Sequence, residues 1–304
     1  MCRMEPLRAP ETMTERSKKA ADLGSNLRGW AALGRDWGAI VLISWASVRL
    51  HSIPAYLAAV ALIGAFQFAI GECLLHEASH FHLFRTRSWN ERFEALYALP
   101  FFMTLAQFRE EHLAHHRDAG TPRDGLLEDY RLIGLFRPKP DMFWLWFVKP
   151  LTGFAGYFYL TKLSLTPRRD GLKIAGFWTV VLAAAWALGG LQLLALYWLV
   201  PMLFGHASFL YWSEVQDHFG TRSGTRSVTG ALGNRLWHNN GYHAVHHARA
   251  WVPFYRLREA HDDFLAGAGA AAAQDLSSGF LETYRQLRAA VSAAPAAALE
   301  PALR

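Results

Sequence analysis

Apolar residues gather into long unbroken runs, separated by polar stretches that carry most of the histidines. Ile174 to Trp212 is 39 residues without a Lys, Arg, Asp or Glu. At ~1.5 Å per residue this is about 58 Å of helix, close to two passes through a ~30 Å hydrocarbon core. Gly189-Gly190 supplies a natural turn within it. Trp37 to Gly71, interrupted only by Arg49, His51 and Pro54, reads the same way. The pattern predicts an all-α integral membrane protein with two transmembrane helical hairpins, about four spans, since uncharged runs of this length are rare in soluble folds. Ala95 to Phe108 is too short to cross and is expected at the interface. Met142 to Leu160, aromatic-rich and broken at Lys149-Pro150, is expected to form an interfacial helix pair, and whether it crosses stays open. Residues 1–36 are expected to be a polar, disordered segment, 37–264 the membrane domain, and 265–304 an Ala-rich tail without visible chemistry. No internal repeat is evident.

Charge orients this arrangement. Two hairpins put residues 1–36, 76–173 and 213–304 on one side, with 30 of the 31 Lys and Arg; only Arg49 falls opposite. Positive charge collects on the cytoplasmic face, which is therefore expected to carry both termini and a histidine-rich cap. The N-terminus lacks the basic start and apolar core of a cleaved signal peptide. The net charge of +6 is too small and dispersed to argue for nucleic acid. Two cysteines exclude a disulfide scaffold and a Cys-based zinc cluster, whereas 14 histidines point to imidazole as the metal-binding group.

Eight histidines form three tight groups. They are His76 and His80, then His112, His115 and His116, then His243, His246 and His247. Spacings of three and four put each group on one helix face. In the four-span arrangement all three lie just outside the membrane on the same side. Eight imidazoles exceed what one four-coordinate ion uses and suit a pair. His218, just past the last span, is a candidate ninth ligand. His238 is open to an indirect or a structural role, and His51, His82, His206 and His261 lack partner spacing and read as non-ligands. Neutral imidazole suits zinc, copper, nickel and iron. Soluble di-iron carboxylate proteins use paired Glu-x-x-His motifs, and only Glu77 to His80 fits that form here.

These three boxes around two hairpins resemble the membrane fatty acid desaturase and hydroxylase superfamily. The stretch from His243 through Pro253, Tyr255, Arg256 and Leu257 to His261 is similar to that family's ending, and the acidic segment before His218 is similar to its extra ligand. The resemblance covers roughly residues 37–264. It implies a non-haem centre of two iron ions that uses O2 as co-substrate and two electrons per turnover. It also implies an acyl or other lipid substrate entering from the bilayer. Desaturation is expected, with hydroxylation by the same centre as the alternative. No haem-binding or four-cysteine pattern appears, so a separate ferredoxin, rubredoxin or cytochrome with its reductase is expected to dock, with Arg85, Arg87, Arg92, Arg109 and Arg117 as a candidate receiving face. Glu77, Glu110, Glu111, Asp129 and Glu214 flank the boxes, and some are expected to orient ligand N–H groups.

Two rivals remain. His76-Glu77-x-x-His80 also fits a zinc intramembrane protease with Glu77 as base, but that leaves two boxes unexplained, and Arg123-Asp124-Gly125 sits in a polar loop. A metal transporter would want more ionisable groups within the spans than Glu72 and His206.

Overall fold

The computed structural model describes residues 24–163 and 168–293. The fold is helical, with one short pair of parallel strands, Ser227–Val228 and Leu276–Ser277, among the described residues. Among the described residues, three helices are long and apolar enough to cross a membrane: Ile53–Ser79, Asp170–Ala187 and Leu191–His218. The expected first limb is also a helix, Asn26–Leu50, but Arg28, Arg35, Asp36 and Arg49 leave it less apolar than these three. The turns fall where Gly and polar residues indicated. His51, in the left-handed region at φ +45, closes the first hairpin, and Ser52 caps the next helix through Ala55 N–H. Gly189, at φ +65, closes the second.

Ile53–Ser79 and Leu191–His218 run side by side in the same direction. Tyr56 donates to the Leu196 carbonyl near their starts, and Gln67 donates to the Trp198 carbonyl further along. At Gly64 and Gly205 the backbones nearly touch, and a Cβ on Gly64 would lie 2.4 Å from the Gly205 Cα. Small residues permit this approach. The pairing brings the two histidine-bearing ends, His76 and His218, to the same end of the molecule.

Three boundaries differ from expectation. The N-terminal helix starts at Asn26, inside the stretch expected to be disordered; Met1 to Leu23 lie outside the described residues. Its start is anchored because Leu33 is buried and Trp30 packs edge-on against Phe93 at 4.9 Å. Ala95 to Phe108, expected at the interface, is largely irregular backbone. Two short 3-10 turns there lead into the helix Leu105–Asp118, and Tyr97, Ala98 and Phe101 are fully buried. The carbonyls freed by this irregular backbone are taken by indoles and a phenol. Trp37 donates to Leu96 O, Trp178 to Leu99 O, Trp198 to Pro100 O and Tyr159 to Phe101 O. Non-helical backbone persists in apolar surroundings only when its polar groups are so satisfied. Finally, the 264/265 boundary falls inside the helix Leu257–Gln274, and the tail continues as a further helix, Phe280–Ala293, packed on the core through Leu287.

Met142 to Leu160 is broken as expected. A π turn, Trp144–Val148, and a 3-10 turn, Lys149–Thr152, precede the helix Phe154–Lys162. Trp146 and Phe158 face the core while Leu151 and Tyr157 are exposed.

Candidate metal centre

Four elements deliver the histidines. His76 and His80 end the long helix Ile53–Ser79, immediately after a π turn at Ala69–Leu74. His112, His115 and His116 lie on Leu105–Asp118, whose start is fixed by a reciprocal Thr104–Gln107 cap. His218 is the last residue of Leu191–His218, and His243, His246 and His247 form the short helix His243–Ala248. These nine histidines gather into two groups. His76, His80, His112, His116 and His246 form one, and His115, His218, His243 and His247 the other; within each, the candidate ligand nitrogens lie within 4.8 Å of one another. His116 and His247 stack at 4.2 Å where the groups adjoin.

The rings point nitrogen to nitrogen. Nε2–Nε2 separations are 2.8 Å for His80–His112, 3.1 Å for His116–His246, 3.0 Å for His115–His218 and 2.9 Å for His218–His243. The Nε2 atoms of His76 and His247 are buried without a protein partner. Converging, partly orphaned nitrogens are what a bound cation would satisfy. Burial, and then the neighbouring imidazoles, push His80, His112, His243, His246 and His247 well below the ordinary histidine value, and His116 down to about 3. Neutral imidazole is the form that binds metal. The donor set therefore fits two metal ions with nitrogen ligands.

Outer contacts set the ring tautomers. His115 Nδ1 lies 3.0 Å from Asp124 Oδ1, and His218 Nδ1 lies 2.8 Å from the Gly224 carbonyl. Donation from each Nδ1 leaves Nε2 bare for a metal. Asp124 also accepts from Gly120 and Leu126 N–H. Burial works against its charge, but these hydrogen bonds outweigh it and hold the carboxyl below the usual range.

Residues 52–275 match the family model described as fatty acid desaturase. The chain belongs to the fatty acid desaturase family. A relative from Bradyrhizobium elkanii named dihydrorhizobitoxine desaturase is 26% identical over 267 residues, covering 77% of this chain and 74% of its own. Family membership carries oxidoreductase chemistry, and the apolar helices accord with a membrane protein of that family.

The other carboxylates of this desaturase-family chain lie elsewhere than expected. Asp129 and Glu214 pair with Lys162, at 2.6 and 2.8 Å. Burial alone would lower Lys162, but Glu214 and Asp129 raise it above its ordinary value and hold it charged. Glu77 sits 3.7 Å from His76 Nδ1, beyond hydrogen-bond reach, and accepts from Phe254 N–H at 3.0 Å, tying the first box to the segment after the third. Glu111 lines a cavity, and Glu110 is exposed. Among the described residues, the carboxylate within hydrogen-bond reach of a candidate ligand is Asp124, which the sequence places in a polar loop. The remaining histidines stay outside both groups. His206 packs against Phe101 and Tyr159, His261 against Tyr242, and His238 is held 2.6 Å from Asp36.

A cavity of about 520 Å³ opens against both groups, touching His76 and His112 of one and His115, His218 and His243 of the other. Phe108, Leu126 and Leu210 share its wall with the Asp129–Lys162–Glu214 cluster.

Proposed function

We propose that the chain is a membrane-bound, O2-dependent desaturase that removes two hydrogens from an unactivated carbon–carbon segment of an acyl or other lipid chain. The observation that carries this reading is the meeting of nine imidazoles, in adjoining groups of five and four, against one cavity. His76, His80, His112, His116 and His246 would hold one iron, and His115, His218, His243 and His247 the other. When bound, such a pair supplies the reduction of O2 and the oxidising power for C–H cleavage. Carbon gives up two electrons, and a separate carrier supplies two more, so that O2 leaves as two waters.

The chain's own residues do the placing. Asp124 and the Gly224 carbonyl keep His115 and His218 in the ligating tautomer. The cavity aligns the substrate, and its alignment decides between alkene and alcohol. The side-by-side course of the two long helices supports a site at one membrane face, and the Lys and Arg distribution favours the cytoplasmic one. A one-zinc protease would leave the second group without a task.

A second reading concerns the substrate. The Asp129–Lys162–Glu214 cluster is an unusual wall for a bare hydrocarbon, because ligand pockets for apolar chains are lined mostly by apolar groups. The Bradyrhizobium relative is named for dihydrorhizobitoxine, not for a fatty acid. Both observations favour a substrate with a polar group near the reacting carbons.

The test is iron analysis of the purified protein beside a His115→Ala variant, followed by lipid and metabolite profiling of a heterologous host. Two irons per chain in the wild type, loss of the second group's iron in the variant and a new alkene in the host are expected. Unchanged iron and product in His115→Ala would reject the ligand assignment. A new alcohol would move the activity to hydroxylation.

A further inference from the structure

Residues beyond 275 lie outside the stretch that matches the desaturase family, yet they hold the loop that follows His218. Phe280, Thr283, Tyr284, Leu287 and Val291 recur at helical spacing and form one face of Phe280–Ala293. That face is packed: Thr283 and Leu287 are fully buried, and the Phe280 ring lies 4.7 Å from Trp146 and 5.4 Å from Trp212.

From this base, polar contacts grip the loop that follows His218. The Asp275 carboxylate accepts from the backbone N–H groups of Arg222 and Ser223, at 2.9 and 2.6 Å, and from the Ser223 hydroxyl at 2.6 Å. Gln286 Oε1 accepts from Arg226 Nε at 2.8 Å, while Gln286 Nε2 donates to the Leu276 carbonyl. Arg226 is 1% exposed, and its Nη1 and Nη2 each donate to a carbonyl, of Gln216 and Phe219, which flank His218. Thr229 N–H donates to the Ser277 carbonyl at 2.7 Å. A guanidinium presents its donors as a rigid fork, so these acceptors define one position for the loop.

Between the anchors sits Gly224, whose carbonyl meets His218 Nδ1. Gly220 and Gly224 both have positive φ, so the loop has little stiffness of its own. The same segment braces the third box. Ser227 Oγ accepts from Ala244 N–H at 3.1 Å, and Val228 N–H donates to Gly241 O at 2.7 Å.

We infer that residues 275–293 are a clamp that positions His218, so that metal occupancy of the second histidine group depends on a segment that starts at the last residue of the family's matched stretch and runs beyond it. Asp275 and Gln286 are its positioning residues. The inference rests on the proposed reading of both groups as metal sites.

Full-length protein in detergent, stripped with chelator, is titrated anaerobically with ferrous iron. Wild type is expected to fill both groups; uptake of a single iron there would fail the two-site reading itself. In Gln286→Leu, the second iron is expected to bind about 10–100-fold more weakly and the first little changed, with a modest drop in melting temperature because the buried Arg226 loses an acceptor. Gln286→Glu, which keeps an acceptor for Arg226, restores it. If Gln286→Leu does not yield folded protein, Asp275→Asn probes the other anchor of the same loop and is expected to weaken the same iron. Wild-type affinity for both irons in the variant overturns the clamp. So does the joint loss of both, which would make the segment a general stabiliser.

Discussion

The two histidine groups are built by different means. In the five-histidine group, His76, His80, His112 and His116 sit on two helices, Ile53–Ser79 and Leu105–Asp118, whose packing sets the rings. Arg109 fastens those helices by donating to the carbonyls of Ala78 and Ser79. Both groups also take rings from the short helix His243–Ala248, but in the four-histidine group two rings are aimed by loop acceptors, Asp124 and the Gly224 carbonyl. One group is thus oriented by helix packing, the other by hydrogen bonds from segments that need anchors of their own. Hydrogen-bonded loops open at lower free energy than packed helices, so the second group is expected to lose its metal first.

Removal of a ligand has the largest effect and is blind to this difference. His112→Ala in the first group and His243→Ala in the second are each expected to abolish product, because both ions serve one reaction. Iron analysis separates the two cases, since each variant should retain the metal of the intact group. Loss of all iron from His243→Ala would mean that the first group is no more self-sufficient than the second.

Asp124→Ala comes next and bears on the contrast directly. It removes the acceptor for His115 Nδ1 and for two backbone N–H groups. Metal affinity of the second group should fall by about 10–100-fold while the first is unchanged, as read by ferrous titration. Equal weakening of both groups would erase the distinction.

Gly64→Ala tests the frame beneath both. Its Cβ would lie 2.4 Å from the Gly205 Cα, a backbone contact that cannot yield by rotamer change. The two long helices must separate, at a cost of about 1–3 kcal/mol for an overpacked core. Thermal unfolding in detergent should fall, and both groups should weaken together, in contrast to Asp124→Ala.

The same division governs what could be read from the chain. The histidines were legible because residue type and spacing carry the signal, and His51 and Gly189-Gly190 marked their turns through local backbone preference. Asp124 was not legible: it lies nine residues past His115, and only the turn that Gly120 opens brings them together. The burial of Ala95 to Phe108 was hidden too, since the indoles that satisfy its carbonyls come from helices far along the chain. The tail helix left a readable trace, the apolar spacing of Phe280, Tyr284, Leu287 and Val291, that its alanine content masked.

The smallest predicted effect concerns that irregular segment. Trp178→Phe removes the indole donor to the Leu99 carbonyl while keeping most of the ring that stacks on Phe102 at 4.4 Å. A lost neutral hydrogen bond costs about 0.5–1.5 kcal/mol, and the Leu99 carbonyl keeps the Phe102 N–H. A modest drop in melting temperature is expected, with iron affinity unchanged in both groups, because Leu99 touches neither. If Trp178→Phe instead weakened the first group, the 3-10 turns would be part of what aims His112, and the helix-packed group would prove to lean on hydrogen-bonded loops as the other does.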